Sequence, residues 1–151
     1  MEIDFQNFRQ LMISGSPHMA AVGLELLSMD ENGLVGKVPH RSEFVGDPDS
    51  GVVHGGIVTV LLDSLSGMCI IPTLDDMMMM ATLDLRIDYL KPAAPRQDIF
   101  ARTHCYKTTR NIAFTRGIAY QGDIDDPIAH AAGAFMLTRP DNGKTAARAP
   151  A

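Results

Sequence analysis

The stretch GGIVTVLLDSLSGMCII, Gly55 to Ile71, is the one long apolar segment of the chain. Its length suits a helix better than a strand. Apolar residues fall nearly all round it, the mark of a helix buried in its own domain. Pro72 closes it, because proline has no N–H to continue the ladder. Thr59, Asp63 and Ser66 interrupt the apolar surface at i, i+4 and i+7, so they share a face that Gly56 begins. Burying an unpaired carboxylate costs several kcal/mol or raises its pKa. Asp63 is therefore expected either to be held by neighbouring hydroxyls or a partner subunit, or to be kept for chemistry.

The segments on either side supply a sheet. Upstream, Asp4 to Ile13 places Phe5, Phe8, Leu11 and Met12 on one helical face, with Asp4 as cap. Val22–Met29 and Leu34–Val38 are expected as strands joined through Asp30-Glu31-Asn32-Gly33, since Asn-Gly between apolar runs signals a hairpin. Residues 39–50 form a loop. Downstream of Pro72, Met77 to Met80 is read as core and connection. Then the period becomes two: Thr82 to Tyr89 alternates, with Leu83, Leu85, Ile87 and Tyr89 on one face. Ile99–Tyr106 and Ile112–Tyr120 make a second hairpin, and Ile128–Thr138 is the last strand. Ala131-Ala132-Gly133-Ala134 at its centre allows another element to approach closely. Strands grouped after a helix point to an α+β fold, an antiparallel sheet wrapped around one long helix. Residues 1–138 are expected as one domain and 139–151 as a disordered tail.

Bulk properties limit the function. With 151 residues and 46% hydrophobic content, the chain can bury one core. The net charge of −5 argues against binding nucleic acid through phosphates. Cys69 and Cys105 have no metal-ligand spacing and read as reduced core thiols. The N-terminus lacks the basic region of a signal peptide. No stretch is expected to reach the roughly 18 apolar residues of a membrane span. A cytoplasmic location follows as an expectation.

His54-Gly55-Gly56 stands directly before the long helix. Two readings fit it. The glycines can simply make a tight turn. They can also leave backbone N–H groups bare at the positive end of the helix dipole, where an oxyanion is favoured.

Together, GVVHGGIVTVLLDSLSG and TLDLRIDYLKPA resemble the hotdog-fold thioesterases of the PaaI type. The family pattern is an upstream Asn or Asp, Gly-x-x-His-Gly-Gly, a helix with an aspartate, and a strand of the form T-x-D-L-x-x-x-Y-L-x-P. All occur here in order, and the resemblance runs from about Val22 to Thr138. It implies that Asp63 is the general base or nucleophile. Gly56 would polarise the thioester carbonyl through its N–H. His54 would orient the loop and assist the leaving thiol, and Thr82 would help hold the attacking water. Asp47 stands where relatives usually have Asn and brings an extra negative charge. The substrate would be an acyl-CoA or aryl-CoA, hydrolysed to acid and CoA with no separate cofactor and no metal.

Coenzyme A carries phosphates, so its site needs cations. Lys91 and Arg110, at a strand end and a hairpin tip, are the candidates, with Gly55 beside them at the helix start. Asp63 lies seven residues beyond Gly56, about 10 Å along a helix. One carboxylate cannot attack a carbonyl polarised that far away on the same helix. Two helices packed antiparallel about a two-fold axis would set each Asp63 against the other chain's Gly56. The chain is thus expected to form a homodimer, with a dimer of dimers as the final state. A non-catalytic acyl-CoA-binding hotdog protein and a hotdog hydratase or dehydratase are the competing readings.

Overall fold

A computed structural model describes residues 4–139. The first helix, α1 (Phe5–Ser14), starts where expected, and the Asp4 carboxylate accepts the Gln6 N–H at 3.2 Å. Phe8 is buried under it, while Leu11 turns outward. A second short helix, α2 (Pro17–Val22), takes the first residue of what reads as a strand. Its causes are local: Ser16 caps, Pro17 starts the first turn with its φ already helical, and Gly23 ends it in the left-handed region.

Six strands follow: β1 (Glu25–Asp30), β2 (Gly33–Val38), β3 (Met79–Tyr89), β4 (Ile99–Thr108), β5 (Ile112–Tyr120) and β6 (Ala129–Thr138). All neighbouring pairs are antiparallel, in the order β1-β2-β4-β5-β6-β3. The long apolar segment becomes α3 (Gly55–Met68), followed by a 3-10 turn at Ile71–Thr73. It lies across the sheet as the α+β hotdog arrangement requires. The stretch Gly55–Thr73 does have the length and composition of a membrane span, contrary to expectation. Half of it is buried within the fold, where it serves as the core helix.

The first hairpin sits one residue earlier than its Asn-Gly signal suggests. Its loop is Glu31-Asn32, and the Asp30 carboxylate accepts the Asn32 N–H at 2.8 Å. The strand β3 begins at Met79, absorbing two of the four methionines read as connection. A register shift between Thr82 and Asp84 interrupts its alternation. Leu85 and Ile87 pack on the core, but Leu83 is 52% and Tyr89 51% exposed. Because β3 is the last strand of the sheet, its outer backbone edge has no strand partner among the described residues.

The helix is not buried all round. Val58, Leu61, Leu62, Leu65, Ser66 and Met68 face the sheet, none more than 4% exposed. Ser66 therefore leaves the stripe expected of it. The Thr103 hydroxyl of β4 donates to the Leu65 carbonyl at 2.9 Å and fixes the helix against the sheet. Gly133 admits a close approach, for a Cβ there would lie 2.9 Å from both the Phe135 ring and the Thr115 hydroxyl. Cys69 and Cys105 are free thiols, and burial pushes the Cys69 thiol up to about 12, which keeps it protonated. Of the tail expected from residue 139 onward, all but Arg139 lies outside the described residues.

Candidate active site

The flank of α3 turned away from the sheet carries Gly56, Thr59, Val60 and Asp63, all at least partly open. Asp63 is thus half-buried at the edge of the core rather than sealed within it, which corrects the expectation of a carboxylate in greasy surroundings. Its partner is Thr82 of β3, whose hydroxyl donates to Oδ1 at 2.9 Å. Two residues singled out nineteen positions apart are brought together. The other carboxylate oxygen has no hydrogen bond among the described residues.

His54 caps α3. Its backbone is extended, and its Nδ1 accepts the Gly56 N–H at 2.9 Å. That bond requires neutral imidazole with its proton on Nε2. It also means that the N–H expected to meet a carbonyl oxygen is occupied by the protein's own side chain. A ligand oxygen reaches it only by displacing the imidazole or sharing the donor. Glycine matters here because a Cβ at position 56 would lie 2.9 Å from His54 Nδ1.

The loop before His54 is tight for a similar reason. Val45 pairs with Val53, the His54 N–H donates to the Phe44 carbonyl at 2.8 Å, and a Cβ on Gly46 would stand 2.9 Å from His54 Cα. The next residue, Asp47, is exposed and turned into this loop. Its carboxylate accepts from the Ser50 hydroxyl and from the Asp49 N–H, and these bonds, the Ser50 one foremost, hold it below the usual carboxylate range. Within the protomer Asp47 shapes the loop and, among the described residues, makes no hydrogen bond to Asp63 or Gly56.

Tyr89 is a residue that the sequence reading left without a role. Its hydroxyl donates to the Gly55 carbonyl at 2.9 Å and lies 2.7 Å from the Thr59 hydroxyl. With the Tyr89 proton on Gly55, Thr59 is the donor in the second bond. The Gly55 carbonyl and the Gly56 N–H belong to one planar peptide group. Tyr89 thus grips one end of that group while His54 holds the other. Hydrogen bonding at a carbonyl polarises the N–H across the same amide, since hydrogen bonds in a chain strengthen one another. The strand pattern contains this tyrosine, but a tyrosine at a strand end carries no sign of the backbone group that its hydroxyl meets.

The two cations lie far apart. Lys91 lines an apolar groove of about 450 Å³ with Val52, Gly55, Val58 and Tyr89, at the start of α3. Its ammonium is already paired with Asp126. Arg110 lines a separate hollow of about 470 Å³ with Thr73, Thr108 and Asn111, beyond the end of α3. At the helical rise, Gly55 and Thr73 are roughly 25 Å apart. Arg110 makes no ion pair among the described residues, although Asp75 and Asp76 share its hollow. Among the same residues, no cluster of His, Cys, Asp and Glu is arranged to hold a metal ion.

An antiparallel sheet wrapped on one long helix defines a hotdog protein. Residues 50–128, just over half of the chain, match the model of the thioesterase superfamily, and the chain belongs to that family. A Pseudomonas aeruginosa protein of known crystal structure is 42% identical, with 88% of this chain and 98% of that one covered and a TM-score of 0.79. A Haemophilus influenzae thioesterase shares the fold at a TM-score of 0.81 and 18% identity, over 95% of this chain and 96% of that one. Human acyl-coenzyme A thioesterase 13 is 32% identical over 65 residues, 43% of this chain and 46% of that protein. The chain thus matches about half the length of its curated relatives.

Proposed function

We propose that this protein hydrolyses acyl-CoA thioesters to a carboxylic acid and coenzyme A, as a dimer with two shared sites. The observation that carries the reading is the Asp63–Thr82 pair on the open flank of α3. A carboxylate held at one oxygen and free at the other is oriented to take a proton from water or to attack the carbonyl carbon itself. Similarity to acyl-coenzyme A thioesterase 13 supports coenzyme A as the leaving group. The Gly56 N–H, once released by His54, would receive the developing oxyanion at the helix N-terminus.

Two exposed features support the dimer. One is the open flank of α3, and the other is the free edge of β3 with Met79 and Leu83 exposed beside it. Antiparallel packing that sets Asp63 against the second copy's Gly56 places the hairpin of Arg110 roughly 15 Å beyond the start of that copy's helix. Lys91 of one chain and Arg110 of the other would then flank the same exit, where a coenzyme A nucleotide would emerge.

Hydrolysis is measured by thiol release across acyl-CoA chain lengths and aryl-CoA esters. Asp63→Asn keeps the acceptor for Thr82 and removes the base. We expect kcat to fall by about 10²-fold or more, with fold and assembly kept. Retained wild-type turnover in that variant would refute the mechanism. Binding of acyl-CoA by the wild type without any turnover would instead favour a non-catalytic acyl-CoA-binding protein.

A further inference from the structure

The face of the sheet turned away from α3 gathers two arginines and two histidines around one hollow. The side chains pointing that way on the central strands include Arg102 and His104 of β4, Arg116 of β5 and His130 of β6. The register sets His104 opposite Arg116, and Ile118 lies between Arg102 and His130. With Asp88 of β3 they line a shallow hollow of about 300 Å³. Its one carboxylate, Asp88, is paired through Oδ1 with the Arg86 guanidinium at 3.0 and 3.2 Å, which offsets its charge. Arg102 and Arg116 form no ion pair among the described residues. Arg102 Nε is buried without a hydrogen-bond partner. A buried donor of a charged group is costly to leave unmade. Arg116 sits 5.2 Å from the Tyr106 ring centroid, a contact that fixes the guanidinium without using its N–H donors. In a chain of net charge −5, such a grouping is not a general property of the surface.

We propose that this hollow binds the phosphate group of a small phosphorylated ligand, with Arg102 and Arg116 as its two clamps. A guanidinium matches an oxyanion through two parallel N–H bonds. Two such forks balance a phosphate dianion, whereas a carboxylate monoanion would leave one unpaired. His104 and His130 stand at the margin as further donors. The site lies on the opposite side of the sheet from Asp63, so it does not depend on the proposed hydrolysis. The phosphate can come from a free metabolite or from the nucleotide half of coenzyme A.

The full chain is titrated at constant ionic strength with inorganic phosphate, AMP and coenzyme A, following the Arg102 Nε–H resonance. We expect a saturable shift with one phosphate group per chain. Arg116→Gln should weaken it at least tenfold, and Arg9→Gln, on exposed α1, should leave it unchanged. A midpoint at least tenfold lower for coenzyme A than for AMP would identify a coenzyme A molecule bound apart from the Asp63 site as the source. Equal midpoints would identify a free phosphorylated metabolite. A shift that rises linearly with concentration, or one that Arg116→Gln leaves intact, overturns the proposal. So does light scattering in which Arg116→Glu breaks the oligomer whether or not phosphate is present, since the hollow would then be a subunit contact.

Discussion

Toward the sheet, α3 presents Val58, Leu61, Leu62 and Leu65, at most 2% exposed; away from it, the helix presents Gly56, Thr59, Val60 and Asp63, at least partly open. The first flank is finished within the protomer. Its side chains are enclosed, and its one carbonyl tie to β4 is made by Thr103. The second is chemically equipped but incomplete, with a carboxylate at one point and the glycine N–H about 10 Å away. In the proposed dimer, the helix is a core element on one side and half of a shared site on the other. Substitutions on the two flanks should accordingly separate stability from turnover.

The largest effect is expected on the closed flank. Leu65→Ala removes a fully buried side chain packed against Gly36 of β2. The loss should be about 2–5 kcal/mol of folding stability, the range for truncating a buried leucine. Urea denaturation would measure it, and kcat per folded chain should stay within about twofold, since lost transition-state contacts and lost packing are separate quantities. A large drop in kcat at full folding would mean that the closed flank also positions the site.

Tyr89→Phe tests the open flank more finely. The ring still packs at the start of α3, but the grip on the Gly55 carbonyl is lost. The Gly55 carbonyl then keeps only the longer side-chain contact from the Thr59 hydroxyl at 3.4 Å, and the Gly56 N–H held by His54 is less polarised. We expect kcat to fall about tenfold, less than for deleting a whole oxyanion donor, with KM changed less than twofold. A rise in KM with unchanged kcat would reduce Tyr89 to a wall of the apolar groove.

Much of this comparison was legible in the sequence, and the gaps have physical causes. The unbroken apolar run sufficed for α3, and alternation sufficed for β5 and β6, which lie in the interior of the sheet with both edges paired. Alternation misled in β3, where the bulge near Leu83 and the free edge expose residues that a regular inner strand would bury. Hydropathy treated α3 as one surface because Val60 is as apolar as Leu61; only Gly56, Thr59 and Asp63 marked the open side. The family pattern pointed to Thr82 and Asp63, which the fold brings within hydrogen-bonding distance, and to Asp47, whose carboxylate bonds to Ser50 and Asp49 in its own loop within the protomer. Tyr89 escaped because its partner is a backbone carbonyl, which no side-chain motif records.

The smallest effect concerns the two cations, and it decides whether the open flank is completed by a second chain. Lys91 is tied to Asp126, and a phosphate must compete with that carboxylate. The pair is at least half-exposed on the aspartate side and is worth at most about 1 kcal/mol. Arg110 has no ion-pair partner among the described residues and is freer to bind. Arg110→Ala should therefore raise KM for acyl-CoA about five- to tenfold and Lys91→Ala about two- to fivefold, on the order of one charged contact each. Neither should alter kcat much, because contacts remote from the reacting carbonyl bind ground and transition states alike. Mixed dimers then locate Arg110. In the antiparallel arrangement, Asp63 and Arg110 of one chain serve the same site, built on the other chain's Gly56. Asp63→Asn chains mixed with Arg110→Ala chains leave a single working Asp63, on the chain that lacks Arg110, so the mixed dimer should show the raised KM. Chains carrying both substitutions, mixed with wild type, leave a working Asp63 and Arg110 together, and KM should be normal. In purified mixed dimers, the reverse pattern would mean that Arg110 serves the partner's Asp63, and equal KM values would mean that Arg110 lies outside the coenzyme's route.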